Sequence, residues 1–264
     1  MLPHLNAHAL YSTVRANPEK VPRFGTSGSP APSFETSPNR KPGEVSKSPS
    51  GAKLRGGARN FAGRESHVLT AAQVANLKAA ERCAEAIGLP FTRMLTIHWQ
   101  AAGVPLDGMV KATGRFTDLM AKALARHGSS TTWLWTHENG HGKGGHCHML
   151  AHVPADLVPV LTALQRGWLK RITGKPYRAR VIHSKPIGGR LGLEAGNPGL
   201  YAVNLNVAVA YALKGASREA ASQFGLERLE PGGRVIGKRC GTSQNIGAKV
   251  RRAAIARLPG RIAV

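Results

Sequence analysis

Acidic residues are scarce in this chain. Its 264 residues hold 14 Asp+Glu against 37 Lys+Arg, a formal net charge of +23 and a pI of about 11.1. Such an excess favours a polyanionic partner, with nucleic acid first because neutralising phosphates drives that kind of binding. Cysteine is scarce too: Cys83, Cys147 and Cys240 stand far apart with no CxxC pair. That excludes a disulfide framework and a zinc-finger spacing, and fits a reducing cytoplasm. No apolar run approaches the roughly 18 residues that cross a bilayer. The first residues lack the charged start and apolar stretch of a signal peptide. No internal repeat is present. The expected protein is therefore cytoplasmic, without a membrane partner.

What is present is unevenly spread. Eight of the 17 prolines precede residue 50, among Ser, Gly and Thr. That composition buries too little apolar surface to offset the entropy of ordering, so 1–65 reads as an unstructured basic tail. The last hundred residues, from Gln165, hold 19 Lys+Arg and 4 Asp+Glu. Residues 66–264 read as one domain with a basic C-terminal extension.

Order is expected from Thr70, where Thr70 and Gln73 make a capping box. Val74, Leu77, Ala84 and Ile87 then share a helical face. Strands are expected at Phe91–Trp99, Thr131–His137 and Tyr177–Ser184. Helices are expected at Phe116–His127, at Ala155–Arg171 (Leu157, Val160, Leu161, Leu164 and Trp168 inward), at Asn204–Lys214 and at Ile246–Leu258. The class is α+β: a central antiparallel sheet with helices packed on one side.

Five of the eleven histidines fall between His137 and His152, around a glycine-rich run. Strand side chains alternate, so His146 and His148 share a face and can grip one metal ion. Cys147, Met149, Ala151 and Val153 take the opposite, apolar face. A short glycine-rich turn lets the preceding strand fold back and add a third ligand. Parity leaves Glu138 or His137 for that role, not both. A metal at such a group polarises a scissile phosphate but needs a nucleophile. Tyr211 is the candidate, with Lys214 on the same helical face to hold a phosphate or favour the phenolate. Val207, Ala208 and Ala212 equally suit Tyr211 as a core aromatic. Tyr201 is a second candidate nucleophile. Lys185, Arg190, Lys238, Arg239, Arg251 and Arg252 are the expected contacts to a nucleic-acid backbone. Ser243-Gln244-Asn245 is suited to reading a base or capping the last helix.

In order along the chain, Met94-Leu-Thr-Ile97, His146-Cys-His148 and Tyr211-Ala-Leu-Lys214 resemble the three motifs of the HUH endonucleases, in the sequence used by rolling-circle replication initiators of plasmids and phages. The resemblance runs from about Phe91 to Lys214. It implies metal-dependent nicking and joining of single-stranded DNA. His146, His148 and Glu138 would be ligands of Mg or Mn. Tyr211 would be the nucleophile, forming a 5′-phosphotyrosine, and Lys214 its support. The implied partners are a single-stranded or hairpin DNA origin and a host helicase. Two positions differ: Cys147 stands where a larger apolar residue is usual, and Gly215 where many relatives carry a second tyrosine, which implies a single-tyrosine enzyme. His137-x-Asn139 with the later HxH also resembles the motif of mobile-element relaxases, for which Tyr11 would be the nucleophile. A non-enzymatic nucleic-acid-binding protein is the reading from another class.

Overall fold

A computed structural model of the chain describes residues 63–188 and 196–256. Most of the expected tail, Tyr11 and Arg190 lie outside the described residues. At the border placed at residue 65, Glu65–Ser66 form a short strand, β1.

Helix α1 spans Ala71–Ala86 and starts as its capping box requires: Thr70 Oγ1 accepts from the Gln73 N–H, and Gln73 Oε1 accepts from the Thr70 N–H. Val74, Leu77 and Ala84 are buried, but Ile87 is the C-cap and stands exposed. Strand β2 (Arg93–Ile97) follows, then α2 (Met109–Arg126), which starts two turns before the expected Phe116. Its first turns contain Thr113 and Gly114, poor helix formers that packing overrides. Strands β3 (Trp133–Gly140) and β4 (Gly144–Ala151) form a hairpin. Gly142 and Gly144 of its turn have φ of 75° and 64°, a conformation that glycine adopts without penalty.

Helix α3 (Val158–Thr173) buries Leu161, Gln165, Trp168 and Leu169, whereas Leu164 points outward. Strand β5 covers Ile182–Pro186, later than the expected Tyr177–Ser184. Helix α4 (Pro198–Leu213) starts six residues before the expected Asn204, because Asn197 caps the Leu200 N–H and Pro198 occupies the first turn. A sequence of Asn-Pro-Gly reads as a loop, and here it is a helix start. Then come α5 (Arg218–Phe224), for which no expectation existed, β6 (Val235–Ile236), β7 (Cys240–Thr242) and α6 (Ala248–Ala256).

The fold is α+β. Five strands in the order β5-β2-β4-β3-β7 pair antiparallel throughout, and β1 pairs with β6 separately. Helices cover both faces of the sheet, not the one side expected. Leu95, Ile97, Trp135, Cys147 and Met149 pack with Phe116, Met120, Leu161 and Trp168 of α2 and α3. Leu134 and Leu150 pack on the other face with α1 and α4. The HxH strand β4 is thus the middle strand of the sheet, fixed by neighbours on all sides. Among the described residues, no helix is long and apolar enough to cross a membrane.

Arg239 is 1% exposed and does not serve as a surface contact. Its guanidinium donates to Ser66 Oγ, to the carbonyls of Ser66, Gly232 and Gly233, and to that of His137. It ties β1, the 232–233 turn and β3 together. Burial lowers its pKa to about 10, which still leaves it charged at neutral pH. Arg239→Met leaves several buried carbonyls without donors, and should destabilise the protein by about 3 kcal/mol in denaturant unfolding. Arg239→Lys should lose nearly as much, since an ammonium cannot reproduce the fork. A loss below about 1 kcal/mol in either variant would remove this clamp.

Candidate metal centre

The β3–β4 register sets the site. Glu138 lies directly across from His146, and Thr136 and Thr96 flank His148 on either side. These residues share the sheet face that α4 covers. Glu138 Oε2 lies 3.3 Å from His146 Nε2 and 3.6 Å from His148 Nε2. Three donor atoms, one from each residue, fall within 4.8 Å of one another, and all three residues are buried. This group can hold a metal ion.

The surrounding hydrogen bonds turn the imidazoles for that use. His146 Nδ1 donates to the Gly144 carbonyl at 2.8 Å, which leaves the Nε2 lone pair toward Glu138. His148 Nδ1 bonds Thr96 Oγ1 at 3.0 Å. His148 Nε2 and Glu138 Oε1 are buried without a hydrogen-bond partner. Orphaned polar atoms of this kind are rare in an interior, and two of them on a His/Glu donor set fit a bound cation. Burial holds His148 below the usual imidazole value, so it is neutral and free to ligate. Burial pushes the Glu138 carboxyl up, but the net shift is downward, well below the usual carboxylate range, with the Lys214 ammonium against Oε2 favouring the charged form.

His137 is not part of the group. It faces the α2/α3 core, where Nδ1 donates to the Lys238 carbonyl at 3.2 Å and Nε2 accepts from Thr113 Oγ1 at 2.8 Å. Trp99 Nε1 in turn donates to Thr113. Both ring nitrogens are satisfied, so Glu138 is the third donor. Burial pushes His137 from 6.5 down to about 3. Between those values the unfolded chain binds a proton that the folded chain does not. The stabilisation is therefore complete above about pH 6.5 and declines as pH falls toward 3. From pH 7 to pH 5 this one group should lower stability by about 2 kcal/mol in urea unfolding. His137→Gln should flatten that decline. An unchanged slope in the variant would assign the acid loss elsewhere.

Tyr211, on the last turn of α4, sets its ring edge-on against His148 at 4.8 Å between centroids. Lys214 caps α4 and is 3% exposed. Its ammonium contacts Glu138 Oε2, lies 3.3 Å from Glu230 Oε2 and stands 5.1 Å from the Tyr211 ring centroid. The structure thus brings together Glu138, His146, His148, Tyr211 and Lys214. Tyr201 is elsewhere: its buried hydroxyl donates to the Phe91 carbonyl at 2.8 Å, and burial pushes its pKa up. Cys147 is buried in the α2/α3 core, where burial also raises its pKa.

The basic residues separate. Lys185 is exposed on edge strand β5, one alternation from His183 and on the donors' face. Lys238 lies over the Trp135 ring at 5.7 Å, on the opposite face of the sheet from the donors. Arg252 is exposed on α6. Arg251 is half-buried and donates to the Ile246 carbonyl and Asn76 Oδ1. Ser243 Oγ, which is buried, accepts from the Trp133 N–H, and the exposed Asn245 donates its side-chain N–H to the Thr131 carbonyl.

Two residues beside Tyr211 escaped the sequence reading. Arg228 lies 5.0 Å from the Tyr211 ring centroid, and its Nε donates to Glu230 Oε1 at 2.8 Å. They sit in a stretch without regular structure, where periodicity carries no signal. His98 escaped as well, its ring 5.5 Å from that of His146. Continuing the alternation of β2 from Thr96 would have found it. Comparison with protein-family models gives no match to the chain, and comparison with curated proteins gives none either.

Proposed function

We propose that the protein cuts and rejoins single-stranded DNA through Tyr211, as a rolling-circle initiator does. The observation that carries the reading is the Tyr211 ring against His148, which sets a phenol beside a buried two-histidine, one-carboxylate group. A Mg or Mn ion held by Glu138, His146 and His148 would supply charge stabilisation on the oxygens of the scissile phosphate. The Tyr211 hydroxyl attacks phosphorus, its proton leaves, and the bond from phosphorus to the 3′ oxygen breaks. That oxygen departs as a protonated 3′-hydroxyl. The strand's 5′ phosphate stays on Tyr211, so the reverse attack rejoins it. Lys214, 5.1 Å from the ring centroid, and Arg228, 5.0 Å from it, would supply positive charge near the incoming phosphate.

The net charge of +23 supports a polyanionic substrate, and Lys185 lies on the same sheet face as the donors. The relaxase variant of this reading would use Tyr11, which lies outside the described residues. The test is incubation of the full chain with labelled single-stranded and hairpin oligonucleotides in Mg or Mn. A denaturant-resistant protein–DNA adduct is expected. Its absence on every substrate, with binding intact, would favour a non-enzymatic nucleic-acid-binding protein.

A further inference from the structure

Glu138 Oε2 is contested. It faces both imidazole nitrogens, at 3.3 and 3.6 Å, and it also receives the Lys214 ammonium. A metal ion and an ammonium on one carboxylate oxygen repel each other. Lys214 cannot turn to water, because it is buried at the end of α4. A second carboxylate is within reach: Glu230 Oε2 lies 3.3 Å from Lys214 Nζ. Glu230 is held there independently of that contact. Its N–H donates to the Lys214 carbonyl at 2.8 Å, and Arg228 Nε donates to its other oxygen at 2.8 Å.

We infer that Glu230 is the second seat of the Lys214 ammonium and so sets how tightly the Glu138, His146 and His148 group holds a divalent metal. Glu230 touches none of the three donors. It acts as a positioning residue: it draws Lys214 off Glu138 when a metal takes that oxygen, and keeps the ammonium beside the Tyr211 ring. Glu230 has this role only if the group binds metal, which is part of the function proposed above, but the role does not depend on DNA cleavage.

The experiment is Mn2+ titration of the full chain without DNA, read by the loss of the free-ion electron paramagnetic resonance signal. Glu230→Gln should weaken Mn2+ binding about tenfold, as partners beyond the direct ligands commonly do. Lys214→Met should bind at least as tightly as the natural chain. In the Lys214→Met background, Glu230→Gln should change nothing, because no ammonium competes. Lys214→Gln replaces Lys214→Met if the latter does not fold, judged by circular dichroism. An equal weakening in both backgrounds would mean that Glu230 attracts the metal directly, and would overturn the inference. So would no weakening at all. If the natural chain itself takes up no Mn2+, the metal reading falls first, and the role of Glu230 with it.

Discussion

Tyr211→Phe should remove the covalent protein–DNA adduct expected of the proposed function and lower strand cleavage by roughly a thousandfold or more, the scale seen when a nucleophile is deleted. The substitution takes away one oxygen and keeps the ring against His148, so the packing of α4 and the donor group should persist. Oligonucleotide affinity should therefore match the natural chain within experimental scatter. Tyr201→Phe is the control. Its hydroxyl is a buried donor to the Phe91 carbonyl, so this variant should lose about 1 kcal/mol of stability and keep the adduct. The reverse pattern would exchange the roles of the two tyrosines. A full adduct from both variants would place the nucleophile elsewhere, at Tyr177 or at Tyr11 outside the described residues.

His146→Ala combined with His148→Ala removes two of the three donors. Metal affinity should fall roughly a hundredfold or more, and metal-dependent cleavage with it. Binding of a single strand should change little, because under the proposed function that affinity would come from phosphates neutralised by Lys and Arg, not from the metal. The two removals also leave a void on the central strand, at a cost of about 1 to 3 kcal/mol in stability. Comparing the unfolding curve with oligonucleotide affinity at equal salt separates the causes. Loss of DNA binding in step with cleavage, in a protein that still unfolds cooperatively, would make the imidazoles phosphate contacts instead of metal ligands.

The donor group was legible because strand alternation and one short turn determine it. His146 and His148 had to share a face, and a short glycine-rich turn had to bring a third donor of the preceding strand back beside them. The choice between Glu138 and His137 was not legible. It depends on Thr113 and the Lys238 carbonyl, which approach His137 from distant parts of the chain. Arg239 shows the same limit in the other direction. A basic residue in a basic segment reads as surface, and only the carbonyls gathered around it from Ser66, His137, Gly232 and Gly233 make it interior. The class of fold followed from the alternation of strand and helix patterns. Which faces the helices cover did not, because both α1 and α3 carry an apolar stripe that can dock on either side of a sheet. Arg228 and Glu230 had no periodicity to expose them.

All three donors are buried beneath α4 and the turn that carries Glu230, and this burial bears on time as well as on affinity. If the group takes up an ion, the last turn of α4, with Tyr211 and Lys214, is the part beside it whose local opening would set the pace of exchange. A chelator added in excess would then act at that pace, which a time course of metal removal would read.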